Sequence, residues 1–261
     1  MNALREGWII TQRDLIHWVR QPAMLVFGLL FSVMLLLIFG LLLGGAIEVP
    51  GAGRSDYIAF LLPGMFALTM LFGLENTMSA ISADAAKGVT DRFRSLPISS
   101  GAVVLGRSGA DMLYSAVTLG VLMIGGLVIG WRIDAGVGSA LLAVALLLWL
   151  RFALLWVGIF LGLTFRAPGA TTAIQVLVWP IGFLSNAFVS PETMPAWLGA
   201  IAQWNPISAT STAARQLFGN PSGLTGGWFE ENAILLAAVL PLVLTVVFLP
   251  LSARAYRRLR R

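Results

Sequence analysis

Six long apolar runs constrain this chain more than any other feature. A helix needs about 20 predominantly apolar residues to cross the ~30 Å hydrocarbon core of a bilayer. Windows of roughly that length or more fall at 23–46, 57–82, 108–131, 137–164, 170–189 and 233–251. The run at 170–189 is the least regular, interrupted by Thr171, Thr172, Gln175 and Pro180. None alternates as a barrel strand would, and all are too long for one. Backbone polar groups in hydrocarbon must be satisfied within the segment, which a helix does and a lone strand does not. With 58% hydrophobic and 11% charged residues, the composition excludes an ordinary soluble domain. The expected fold is an all-α integral membrane protein with six transmembrane helices, forming a single domain over residues 1–261.

The placement of charge orients these spans. Six crossings put both termini on one side. That side then carries Arg5, Arg13, Arg20, Lys87, Arg92, Arg94, Arg107, Arg166 and the five arginines of 254–261. Arg54, Arg132 and Arg215 fall opposite, and Arg151 lies inside a span. An excess of Lys and Arg marks the cytoplasmic face, so both termini are expected there. This accounts for the net charge of +5 without nucleic acid. The 23–46 run follows a charged stretch and exceeds a signal-peptide core, so it reads as a span and not a cleaved leader. The chain has no cysteine, which removes disulfides, thiol chemistry and Cys-based metal sites.

Between the spans, residues 1–22 read as an amphipathic interfacial helix. Leu4, Trp8, Leu15 and Trp18 recur near helical spacing, with charged residues on the other face and Pro22 favouring a break before the first span. Residues 190–232 read as an extracellular loop with one or two short helices on or dipping into the outer leaflet. Pro191, Pro195 and Pro206 punctuate it, and Trp197 and Trp204 anchor it at the interface. Gly40/Gly44, Gly126/Gly130 and Gly158/Gly162 place glycines four apart within spans, a spacing that lets helices approach closely.

Motifs for chemistry are missing. There is no phosphate-binding G-x-x-x-x-G-K-[ST] loop, no HExxH, and no metal-ligand cluster; Lys87, the sole lysine, sits in AAKGV. An enzyme acting alone does not fit. Two charges stand out within the hydrocarbon: Glu75 in the second run and Arg151 in the fourth. Intramembrane ionisable residues ordinarily face protein or water. Gly158 and Gly162 share the Arg151 face, and Ser79 and Ser82 lie below Glu75, so both charges are expected to be protein-facing. Counted from the 83–107 end, Glu75 is about 12 Å deep and Arg151 about 20 Å, at 1.5 Å per residue. Extended side chains span that difference, so a Glu75–Arg151 pair, within a subunit or across a dimer, stands beside separate roles for the two.

The segment between the second and third runs, DAAKGVTDRFRSLPISSGAVVLGR at 84–107, is charged and bounded by membrane spans. It resembles a specific family. YIAFLLPGMF entering the second run, the SADAAKGVTDRFRSLPISSGAVVLGR that follows it, and FLSNAFVSPETMPAWLGAIAQWNP after the fifth run are similar to the permease of type-2 ABC exporters of the daunorubicin-resistance type. The order of elements matches along nearly the whole chain. The resemblance implies a transport subunit in the bacterial cytoplasmic membrane that hydrolyses nothing itself. It implies a separate ABC ATPase carrying ATP and magnesium, and a second permease, identical or paralogous. In such permeases the loop at 83–107 includes a coupling helix that docks on the ATPase. By position, Asp91, Arg92, Phe93, Arg94, Ser95 and Leu96 form that contact, with Pro97 ending the helix. Arginines there offer charge-assisted hydrogen bonds and Phe93 an apolar anchor.

The resulting expectation is an ATP-driven exporter permease for a small amphipathic, drug-like or lipid-like molecule. Phe66, Met70, Phe72, Phe183 and Phe188 are the candidate residues of its path. A glycolipid or polysaccharide exporter of the same architecture is the neighbouring alternative. A proton-coupled carrier or a non-transporting scaffold is the alternative from another class. A neighbouring gene for an ATPase would separate the exporter from both of the latter.

Overall fold

The computed structural model describes residues 11–12, 30, 33–34, 37–38, 54–86, 100–165, 168–222 and 226–258. Among the described residues there is no β-strand. Helix α1 runs Arg54–Ala86, α2 Ser100–Val128, α3 Val137–Thr164 and α4 Pro168–Phe183; α5 (Ala196–Gln203) and α6 (Pro206–Phe218) are shorter, and α7 spans Ala233–Arg258. Four of these are long and apolar enough to cross a membrane, over Tyr57–Asp84, Ser108–Val128, Val137–Thr164 and Ala233–Tyr256. The first apolar run, 23–46, lies outside the described residues save for Leu30, Val33, Met34, Leu37 and Ile38, which are helical.

The fifth run forms a shorter helix than its apolar length suggests. Helix α4 has 16 residues, and the chain leaves it at Phe183, so the 170–189 window is not one continuous span. Its carbonyl end is closed by a side chain from further along: Asn205 donates Nδ2 to the carbonyls of Ile181 (2.9 Å) and Leu184 (3.1 Å). The Oδ1 of the same Asn205 accepts from Ile207 N and so caps the start of α6 (3.0 Å), with Pro206 in the first helical position. Gly219, left-handed at φ 79°, ends α6.

Helix α1 is the hub. Of its most apolar window 83% is buried, against 22% for α7, so α1 is interior and α7 peripheral. Helices α1 and α3 run parallel and pack through the glycines of α3. A Cβ at Gly158 would lie 2.8 Å from the carbonyl oxygen of Leu74, and one at Gly162 2.8 Å from that of Met78. Only hydrogen fits there, as the four-residue spacing implies. Helix α2 runs antiparallel to α1: Asp111 lies beside Thr77, and Gly126 beside Leu62. Gly130, of the Gly126/Gly130 pair, lies in the turn just past the end of α2 at φ 109°.

The 190–232 segment holds two short helices in different settings. Pro191–Thr193 and α5 are surface features, with Trp197 68% and Trp204 57% exposed. Helix α6 is not. Ile207 to Arg215, Leu217 and Phe218 are all buried, packed among α1, α3 and α7. It is a helix of the bundle core, the second of the short helices expected in this segment. A helix rich in Ser and Thr tolerates such burial because its hydroxyls find partners: Thr210 donates to Pro206 O (2.9 Å), Ser208 accepts from Asn186 N (2.9 Å), and Ser211 donates to Asn186 Oδ1. Phe66, Trp131 and Phe218 meet edge to face beside it, with ring centroids 5.0–6.3 Å apart.

Candidate functional site

Two thirds of the way down α1 from Arg54, the backbone of Gly73 leaves room for an arginine from α3. A Cβ at Gly73 would lie 2.9 Å from the Arg151 guanidinium carbon. Arg151 is 1% exposed. Its Nε donates to Ser115 Oγ (2.8 Å) and its Nη2 to Thr77 Oγ1 (2.8 Å). Thr77 donates in turn to Asp111 Oδ2 at 2.7 Å, and that oxygen lies 3.8 Å from Arg151 Nη2. Three helices thus meet at one ion pair bridged by hydroxyls: Thr77 from α1, Asp111 and Ser115 from α2, Arg151 from α3. A buried charge requires this, because an unpaired one costs several kcal/mol in a low-dielectric interior.

The Arg151 partner is Asp111, and not Glu75. Both depths counted from the sequence were adequate, but the faces differ. Gly73 and Thr77 are the α1 residues against Arg151, and Glu75 lies two positions from each, about 200° around the helix. The body of α1 separates the two charges, which rules out their pairing within this chain. Glu75 instead faces the α1–α4 side, three residues after Phe72 and four before Ser79. Its Oε1 is buried with no hydrogen-bond partner among the described residues.

A second arginine is buried at the opposite end of the bundle. Arg215 of α6 is 0% exposed. Its Nε donates to Phe60 O (2.7 Å) and its Nη2 to Asn186 O (2.9 Å) and Ala187 O (3.2 Å), while its guanidinium lies 3.8 Å from the centroid of the Phe60 ring. By charge placement Arg215 falls on the side opposite the termini, and nothing local in the sequence marks it as buried. Nearby, Pro63 interrupts the α1 hydrogen-bond ladder, and Gly64 lets the backbone of Ala187 approach to where a Cβ would stand 2.7 Å from its Cα.

The residues expected to line a path divide into two groups. Phe66 and Met70 are 0% exposed and fill the bundle core, where no molecule passing along the surface can touch them. Phe72, Phe183 and Phe188 come together in one stack with Trp179: centroids are 4.7 Å apart for Phe72–Trp179, 6.2 Å for Trp179–Phe183 and 5.4 Å for Phe183–Phe188. Phe183 is 52% exposed. The contact block Asp91, Arg92, Phe93, Arg94, Ser95 and Leu96 lies outside the described residues. The helices that bracket it, α1 and α2, are those joined by the Thr77–Asp111 bond. Of the 1–22 segment, Thr11 and Gln12 are described and helical, and Thr11 Oγ1 donates to Gly106 O (2.7 Å) at the start of α2.

Sequence reasoning missed Asp111, Thr77, Ser115, Trp179 and the burial of Arg215. Asp111 fell three residues inside the 108–131 window and was legible as an intramembrane charge. The Asn205-Pro206 cap and Gly219 marked α6 as a true helix. Nothing local marked it as interior.

These features define an all-helical protein with apolar helices long enough to cross a membrane and charged nodes inside the bundle. The chain belongs to the ABC-2 type transporter family, whose sequence model matches residues 5–218. It is 33% identical over 237 residues to the daunorubicin resistance ABC transporter permease protein DrrB1 of Streptomyces coeruleorubidus, covering 90% of this chain and 80% of that protein. It is also similar to proteins described as the transport permease ycf38, at 25% identity in Cyanophora paradoxa (94% of this chain, 85% of the relative) and 26% in Porphyra purpurea (88% and 78%).

Proposed function

We propose that this chain is the membrane subunit of an ATP-driven exporter that moves a small amphipathic molecule, drug-like or lipid-like, outward across the bacterial cytoplasmic membrane. It works with a separate ABC ATPase, which supplies ATP and magnesium, and with a second permease. Six spans, with both termini and the 87–99 segment in the cytoplasm, complete the reading. It draws support from the family match and from charge placement. The observation that carries it furthest is mechanical. The 87–99 segment, with Asp91 to Leu96, connects two long helices that are tied to each other and to α3 by the Thr77–Asp111–Arg151 node. A force applied to that segment reaches the bundle through a rigid three-helix joint. The substrate path then follows the Phe72–Trp179–Phe183–Phe188 stack and excludes Phe66 and Met70.

Co-expression with the ATPase tests this. A complex containing two of each chain is expected, and the permease alone hydrolyses no ATP. Phe93→Ala with Arg94→Glu should leave the permease inserted while removing ~2–5 kcal/mol of docking energy; unchanged co-purification and transport would reject the docking block. Topology has its own check, since the chain lacks cysteine. A cysteine at Ala196 should react with an impermeant thiol reagent on intact cells and one at Ala86 should not. The opposite labelling would invert the orientation.

A further inference from the structure

We propose that Glu75 is the recognition group for the positive charge of an amphipathic organic cation, whose aromatic body lies on the Phe72–Trp179–Phe183–Phe188 stack. This deepens the exporter reading and rests on it. The seam between α1 and α4 is defined at two levels. At one, Phe72 stacks on Trp179. At the other, Gln175 donates Nε2 to Ser79 Oγ at 2.9 Å. Glu75 lies on α1 between Phe72 and Ser79, one helical turn from each, and so on the stripe that meets α4. Its Oε1 is buried with no hydrogen-bond partner among the described residues, and the basic group at the same depth, Arg151, is already held by Asp111, Thr77 and Ser115 beyond the body of α1.

A carboxylate within a transmembrane helix is costly unless something of opposite charge or a polar partner meets it. Gln175, a polar side chain of α4 on this seam, donates to Ser79. Among the described residues the buried Glu75 oxygen has no partner, and it lies one turn from an aromatic stack whose Phe183 is half exposed. The two chemistries select the same ligand class. Aromatic faces attract cations and stack on flat apolar rings, and a carboxylate adds the charge term that a neutral or anionic amphiphile cannot use. Within the reading of an amphipathic substrate, this favours a cationic headgroup over the phosphate or pyrophosphate of a glycolipid, which Glu75 would repel.

The test compares two probes of similar aromatic content, tetraphenylphosphonium, a permanent cation, and triphenylphosphine oxide, which is neutral. Equilibrium binding of each to the full-length permease in complex with its ATPase in nanodiscs is measured for wild type, Glu75→Gln, Glu75→Asp and Phe72→Ala. Glu75→Gln should weaken tetraphenylphosphonium at least tenfold and leave triphenylphosphine oxide within twofold. Glu75→Asp should retain part of the preference for the cation, and Phe72→Ala should weaken both probes. Retained binding of the neutral probe also reports that the Glu75 variants are folded. Equal cation affinity in wild type and Glu75→Gln would overturn the proposal, as would equal loss of both probes in Glu75→Gln. Co-purification of the ATPase is scored in the same preparations. A retained ATPase with no cation preference removes the role of Glu75 and leaves the exporter reading, whereas a chain that recruits no ATPase removes the exporter reading itself.

Discussion

The two buried arginines are held by opposite strategies. Arg151 is met by side chains: a carboxylate on α2 and hydroxyls on α1 and α2, with Gly73 making space. Arg215 is met by the backbone: three carbonyl oxygens from a proline-interrupted helix and from the turn after α4, with an aromatic ring beneath. The first arrangement joins three helices through side chains alone. The second uses the Phe60 carbonyl of α1, close to Pro63, and two carbonyls of the irregular turn after Phe183. A guanidinium with five donors suits both, but only the second depends on its fork reaching acceptors on two separate segments. Arg151 fastens helix to helix, and Arg215 fastens an irregular region into the core.

The comparison predicts that Arg215 tolerates replacement least. Arg215→Ala leaves Phe60, Asn186 and Ala187 carbonyls without their charged donor. Charged hydrogen bonds contribute about 1.5–3 kcal/mol each, so a loss of ~3 kcal/mol or more is expected. Size-exclusion yield and thermal unfolding in detergent would show it, and Arg215→Lys should recover little because an ammonium cannot span the same acceptors. Wild-type behaviour of either variant would break the contrast.

The Arg151 node should show a smaller but coupled loss. Arg151→Gln and Asp111→Asn should each cost roughly 2–4 kcal/mol, since each strands a partner, and a double-mutant cycle should return a coupling of at least ~0.5 kcal/mol. The corresponding cycle for Arg151→Gln with Glu75→Gln should be additive within ~0.5 kcal/mol. Coupling between Glu75 and Arg151 would mean that they meet across two permeases, which the fold of one chain does not require.

Asn205→Ala should follow, because it uncaps α6 and the end of α4 together; about 1–2 kcal/mol is expected, read from the unfolding midpoint. The smallest effect is Trp149→Phe. It removes one hydrogen bond, from Nε1 to Ala238 O (3.0 Å) on α7, and keeps the stack on Phe152, so a loss of ~1 kcal/mol should register in the same measurement.

What the sequence settled by itself follows from properties that sum residue by residue. Apolar runs predict helices α1, α2, α3 and α7 because the transfer of side chains into hydrocarbon is local and nearly additive. The Gly158/Gly162 contact on the Arg151 face was legible for the same reason, as helical spacing alone fixes which residues share a face. The coarse class followed too, from the loop and post-span motifs along the chain. Tertiary structure decided whatever depended on partners distant in the chain. Helix α6 reads as surface by composition, and is interior because Asn186, Phe60 and Ala187 satisfy its polar groups. Asp111 became the partner of Arg151, and Glu75 was left facing α4, because the rotation of α1 about its own axis is set by packing against α3. Depth can be counted along a helix; facing is decided by the neighbours.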